Sequence, residues 1–266
     1  MEKYKVVIVG AGIAGMSAAI NLKRAGINPL IIENNAPGGT LNYIPNIENY
    51  PGFESISGPD LAMNIYNQVN NLDIKIKSAN ISDIDLDKKI INNDIEFEYL
   101  IIATGRKSRL LGLENEKELL GRGISTCALC DGMFYKDKDV IVVGGGNSAL
   151  TESLYLSNIC KKVTIIIRRD NFTGDKYLID RIGNKKNIKV INNSNIISYN
   201  VKNNILVSVT LDNKKRVKTN GVFLALGGIP NSKLFNVEKE NDYILVNNKY
   251  ETNIPYVYAI GDVIKK

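Results

Sequence analysis

The chain has 266 residues, 44% hydrophobic and 23% charged, with 34 Lys and Arg against 28 Asp and Glu and a formal net charge of +6. That length points to about two domains, each long enough to bury a core, and the composition excludes a disordered chain. There is no histidine and only three cysteines, which removes the commonest general base, the usual zinc ligand and a secreted disulfide scaffold. The lysines are spread along the chain without a run of five or six. They read as a solvated surface, so neither a nucleic acid nor a membrane is an expected partner. The apolar run 6–20 carries glycines at fixed offsets and runs into Lys23 and Arg24, so it reads as strand, turn and helix rather than a signal sequence. No run of 18 apolar residues occurs, no transmembrane helix is expected, and the expected location is cytoplasmic.

In chain order, the β-branched run 5–9 reads as a buried strand and 14–24 as a helix, closed by Gly26. Between them stands Gly10-Ala11-Gly12-Ile13-Ala14-Gly15. The first glycine permits a tight turn, the second lets the backbone approach a pyrophosphate, and the third lets helix and strand pack closely. A pyrophosphate there would sit at the helix N-terminus. Residues 29–32 form a second strand that ends at Glu33, 18 residues after Gly15, where a carboxylate can accept bonds from a ribose. Gly38-Gly39 and residues 49–53 read as turns. A helix is expected over 58–70, strands of a small meander over 74–91 and 95–97, and an apolar strand over 99–103 leading into Thr104-Gly105.

The strand–glycine loop–helix pattern then restarts. Residues 139–143 read as a strand, Gly144-Gly145-Gly146-Asn147-Ser148-Ala149 as the loop, 150–156 as a helix and 163–167 as the next strand. A polar helix over 176–182, a strand over 188–191, a hairpin across 205–217 and an apolar strand over 221–226 follow, with strands over 243–246 and 257–260 before Gly261-Asp262. The expected fold is α/β, with two Rossmann-like, three-layer βαβ domains, the second inserted in the first. The expected boundaries are 1–112 plus 244–266 for the first and 113–243 for the second.

Between the two loops lies Thr126-Cys127-Ala128-Leu129-Cys130-Asp131-Gly132. A CxxC dithiol can close into a disulfide and store two electrons. Thr126, as cap of a short helix there, would favour a thiolate, and Asp131 offers a carboxylate for proton transfer. Half a zinc site and a pair of inert buried thiols are the competing readings. Tetrahedral zinc needs four ligands, and only Cys160 remains, so no metal site is expected. Cys160 itself reads as a packing residue.

Taken together, these motifs resemble the low-molecular-weight thioredoxin reductases, flavoproteins with two dinucleotide-binding domains. The resemblance spans the chain through Gly10–Gly15, Gly38-Gly39, the Glu48–Gly52 turn, Ala103-Thr104-Gly105, Cys127–Gly132, Gly144–Ala149, Arg168-Arg169-Asp170 and Ala259–Asp262. It implies FAD along Gly10, Gly12, Ile13, Ala14, Gly15, Glu33, Gly38, Gly39, Thr40, Leu41, Asn49, Ala103, Thr104, Gly105 and Gly261, with Asp262 near the ribityl chain. It implies NADPH on Gly144, Gly146, Asn147, Ser148 and Ala149, with Arg168 and Arg169 on the 2′-phosphate. It implies a redox disulfide Cys127–Cys130, in which Cys130 faces the flavin and Cys127 attacks the substrate disulfide, with Asp131 as the acid. Thioredoxin or a thioredoxin-like protein disulfide is the implied partner, in a homodimer whose two domains rotate during turnover.

The sequence departs from the family at three places. Ile167 and Thr173 stand where the family has a histidine and a further arginine, which weakens NADPH over NADH without abolishing it. The family continues past Gly-Asp-Val into an Arg-Gln segment and a closing helix, whereas the sequence as written stops at Lys266; a trimmed form, or FAD held less tightly, is the expectation. Thr40 and Leu129 replace a usual glutamine and a frequent threonine. Two other readings follow: a flavin thioredoxin reductase fed by reduced ferredoxin, ranked second because the GGGNSA loop is kept, and a truncated, non-catalytic binding or vestigial protein.

Overall fold

Four aliphatic residues in a row, Val6–Val9, suit a strand covered on both faces, as in the interior of a parallel sheet. They are the buried half of β1 (Glu2–Val9) in the computed structural model, which describes residues 1–265. The chain divides into two compact units.

The first unit comprises Met1–Asn42, Ile56–Lys107 and the described chain from Ile229 onward. β1 leads through α1 (Ile13–Arg24) to β2 (Pro29–Glu33). Helix α2 (Gly58–Asn71) is capped by Ser57, whose Oγ accepts from the Asp60 amide at 3.1 Å, and runs to β3 (Lys75–Ser78). A hairpin of β4 (Ile84–Asp85) and β5 (Ile90–Ile91) precedes β6 (Ile95–Ile102). The sheet order is β3-β2-β1-β6-β5-β4, and the late strand Val257–Ala259 pairs with β6. β3, β2, β1, β6 and the late strand run parallel. Their C-terminal ends therefore share one edge, where ligands of open α/β sheets bind.

Two expectations change here. Lys75–Ser78 is not part of a meander but the outermost parallel strand beside β2. The runs 95–97 and 99–103 are one strand, because all of Ile95–Ile102 lies in register with or beside β1.

The second unit comprises Tyr43–Ser55 and Ser108–Gly228, entered through β7 (Arg106–Ser108). It holds α3 (Glu116–Leu119), β8 (Ile124–Ser125), α4 (Ala128–Asp131), β9 (Asp139–Val143), α5 (Asn147–Ser157), β10 (Lys162–Ile166), α6 (Lys176–Gly183) and β11 (Ile188–Ile191). The antiparallel strands β12 (Ile196–Lys202), β13 (Ile205–Leu211) and β14 (Arg216–Lys218) and then β15 (Gly221–Leu224) complete it. The parallel sheet has the order β11-β10-β9-β15-β8. One apolar layer joins Val140, Val142, Val163, Ile165 and Phe223 to Leu150, Leu154 and Leu156 of α5. The other joins Ile141, Val143, Ile166, Val222 and Leu224 to Leu206, Val209 and Leu211 of β13. Helix, sheet and antiparallel ribbon are thus three layers, as expected for each Rossmann-like domain.

The units divide at 107/108 and 228/229, against the expected 112/113 and 243/244. Phe235 and Val237 account for the second difference, since both are buried in the first unit's core with Leu100, Ile244 and Val257. Lys266, the last residue of the expected first domain, lies outside the described residues. Among the described residues, no helix is long and apolar enough to cross a membrane.

Candidate active site

At the ligand-binding edge of the first unit, Gly10 has φ +108°, and a Cβ there would stand 2.4 Å from the Ala103 carbonyl oxygen. A Cβ on Gly15 would stand 2.0 Å from Gly10 O. Neither position admits a side chain. Gly12, the N-cap of α1, has open space where its Cβ would be and no side-chain cap, so the first amides of α1 are left for an anion. Gly38 donates its N–H to Ala11 O at 2.8 Å, and Gly39, with φ +55°, sits over Gly12. Thr40 and Leu41 follow in the short 3-10 turn Gly39–Tyr43, with Leu41 buried. Glu33 accepts from the Ala11 amide through Oε2 (2.7 Å) and from Asn34 and Asn35 through Oε1 (both 2.9 Å). Its carboxylate is tied to the loop and keeps acceptor capacity on Oε2.

On the neighbouring strand end, Ala103 donates to Val9 O at 2.8 Å. The Thr104 hydroxyl donates to Asn231 O (2.7 Å), the Asn231 side chain returns to Thr104 O (3.1 Å), and Asn231 N–H donates to Gly105 O (2.9 Å). A Cβ on Gly261 would stand 2.8 Å from the Ala14 methyl, so Asp262 lies beside the first turn of α1, with Ile13 and Ala14. Gly10, Gly12, Gly15, Glu33, Gly38, Gly39, Ala103, Thr104, Gly105, Gly261 and Asp262 therefore converge. Asn49 lies in 43–55, which group with the second unit, where Glu48 pairs with Arg181 at 2.8 Å.

The second loop repeats the first. Gly144 has φ +138°, and its missing Cβ would stand 2.3 Å from Ala225 O. Gly146 is the uncapped N-cap of α5. Asn147 exchanges hydrogen bonds with Asp175, side chain to carboxylate at 3.0 Å and Asp175 amide to Asn147 Oδ1 at 2.7 Å. Thr173 donates its N–H to Gly145 O at 2.8 Å. The segment after β10 thus folds back over the loop. Ser148 is exposed in the first turn of α5, Ala149 is buried, and Arg168 and Arg169 are both exposed just past β10.

In this same unit Cys127 and Cys130 form a disulfide, with Cα atoms 5.4 Å apart. The N-cap of α4 is Cys127 rather than Thr126: the Cys130 amide donates to Cys127 Sγ at 3.0 Å. That bond would favour a thiolate on Cys127 once the disulfide opens. Ser125 fixes the entry, its Oγ accepting from Cys127 N (3.0 Å) and donating to Cys127 O (3.1 Å). Cys127 is 7% exposed, whereas Cys130 is exposed. Asp131 is partly exposed, and its charge, after burial, contributes to raising the Tyr135 hydroxyl's pKa. Gly132 packs against Tyr155 and Leu156 of α5. On that helix Glu152 has a buried carboxyl oxygen without a partner, and burial pushes its pKa up to about 8. Burial also pushes Cys160 up to about 11, as befits a packing thiol.

Residues 4–266 match the family of pyridine nucleotide-disulphide oxidoreductases. The thioredoxin reductase of Rickettsia prowazekii is 40% identical over 281 residues, covering 98% of this chain and 90% of its own. The chain belongs to the thioredoxin reductases. Among solved structures, the Lactococcus lactis thioredoxin reductase aligns with a TM-score of 0.94 at 33% identity, over 99% of this chain and 91% of that one. The T. acidophilum thioredoxin reductase gives 0.93 at 32%, over 100% and 91%.

Four further residues bear on the two loops and the dithiol without belonging to any of the motifs: Ser125, Asp175, Asn231 and Glu152. Asp175 and Asn231 each follow a glycine-bearing turn in the sequence, but their partners lie 28 and 127 residues away. Ser125 and Glu152 carried no motif at all.

Proposed function

We propose that this thioredoxin reductase moves electrons from NADPH through FAD to the Cys127–Cys130 disulfide, and from there to thioredoxin or a thioredoxin-like protein disulfide. The observation that carries the reading is a closed CxxC disulfide in the unit that also holds the second glycine loop. The first loop fits FAD: open space where a Gly12 side chain would stand, free amides at the start of α1, and Glu33 held with acceptor capacity for a ribose. The second loop fits a nicotinamide nucleotide by the same criteria, and two exposed guanidinium groups at Arg168 and Arg169 supply bidentate donors for a 2′-phosphate. Bound flavin supplies the step between two-electron hydride chemistry and a dithiol.

The chain's own residues supply the rest. Ser125 and the α4 turn hold Cys127 where its sulfur receives an N–H, making it the stabilised thiolate and the thiol that attacks the partner disulfide. Cys130 would be the sulfur that takes electrons from the flavin. Asp131 carries the proton that the leaving sulfur needs, a role open to a carboxylate in a chain without histidine. A homodimer in the cytoplasm completes the proposal.

The test is anaerobic. The purified protein should be yellow and should bleach on addition of NADPH. Bleaching by reduced ferredoxin and by neither nicotinamide would replace the proposed donor. A protein that stays colourless after incubation with FAD would remove the flavin assignment.

A further inference from the structure

The edge of the first unit carries a charge pair beside the glycine loop. Ile260 donates its N–H to Ile102 O at 2.9 Å, and Gly261, with φ +75°, turns the chain against Ala14. Asp262 follows directly from that turn. Arg106 arrives from the neighbouring strand end, after the Ala103-Thr104-Gly105 turn that Asn231 clamps. Its Nη2 donates to Asp262 Oδ2 at 2.6 Å, and both side chains are 38% exposed. Tyr243 borders the same guanidinium.

We propose that Arg106 is a positioning residue for the flavin, holding the Asp262 carboxylate at the loop and cancelling its charge beside the cofactor. The inference rests on the flavin reading of the first loop. Its physical content is electrostatic. Reduction adds negative charge to a flavin, and a fixed carboxylate nearby opposes that addition unless a cation compensates it. An exposed ion pair contributes little to folding, so its effect should appear on the cofactor rather than on stability.

Arg106→Gln and Arg106→Lys separate charge from structure, with the reduction potential read against a reference dye and FAD dissociation read by flavin fluorescence. Arg106→Gln should stay folded and shift the reduction equilibrium at least tenfold toward oxidised flavin, which is about 30 mV for a two-electron couple. Arg106→Lys should recover most of the shift. Adding Asp262→Asn to Arg106→Gln should also recover it, because the carboxylate charge is then gone. If Arg106→Gln loses FAD while Arg106→Lys keeps it, the charge-compensating role stands. Unchanged potential and affinity in Arg106→Gln, or equal damage in the glutamine and lysine variants, would reduce Arg106 to a surface contact or a brace. A wild-type protein that takes up no FAD would sink the flavin reading itself, an outcome visible before any variant is compared.

Discussion

Gly144 lies so close beneath Ala225 that a Cβ on the glycine would stand 2.3 Å from the alanine's carbonyl oxygen, and Gly10 stands to Ala103 in the same relation at 2.4 Å. Each glycine is pinned by the end of the strand that neighbours its own, β15 for Gly144 and β6 for Gly10. The two nucleotide loops are copies at the level of single atoms, so they can be disabled one at a time.

Gly144→Ala combines a positive φ with a backbone collision and should destabilise its loop by at least about 2 kcal/mol. Bound flavin should remain, while its reduction by NADPH should fall sharply in stopped-flow mixing. Gly10→Ala should do the opposite and yield a protein with little flavin absorbance. The same loss from both variants would refute separate sites.

The two cysteines should behave differently. Cys130→Ser, which keeps Cys127, should trap a mixed disulfide with an oxidised thioredoxin on a non-reducing gel. Cys127→Ser should trap none. Both variants should retain flavin and lose disulfide turnover. Because Cys130 is the more exposed of the pair, trapping through Cys130 is the informative contrary result and would exchange the roles.

Arg168→Ala should lower kcat/KM for NADPH roughly 5- to 150-fold, the equivalent of about 1–3 kcal/mol for a charge-assisted contact, and leave NADH unchanged. Parallel losses with both nucleotides would show that the guanidinium does not read the 2′-phosphate.

Glu152 predicts a pH dependence. Burial pushes its carboxyl up to about 8 in the folded chain, from an ordinary value of 4.5. The native state therefore holds a proton that the unfolded state releases. This contribution is complete below pH 4.5 and is lost as pH rises through about 8, at up to about 1.4 kcal/mol per pH unit. Glu152→Gln should flatten the denaturation midpoint across that window and be the more stable protein at pH 9. Parallel curves for the two proteins would mean the carboxyl is ionised in the fold.

Much of this architecture was legible in the residues. Val6–Val9 and Val140–Val143 announced buried parallel strands, and glycines at fixed offsets announced the turns that follow. β6 was harder, because Ile95, Phe97 and Tyr99 alternate with acidic residues while Leu100–Ile102 run apolar without interruption. The periodicity changes midway: Glu98 is exposed, whereas Leu100 and Ile102 of the far half are buried. Thr126 had the better side chain for a cap, yet the sulfur of Cys127 holds the position by accepting from the Cys130 amide. The Asn231 clamp and the Arg106–Asp262 pair join residues 127 and 156 positions apart, beyond the reach of any local pattern.

Residues 43–55 pack with a unit whose remainder begins at Ser108. The ribosome therefore delivers this stretch early, and Glu48 waits for Arg181, 133 residues downstream. The second unit is therefore assembled from two pieces of nascent chain made at different times. A fragment cut at 108–228 would leave out Glu48, the partner of Arg181.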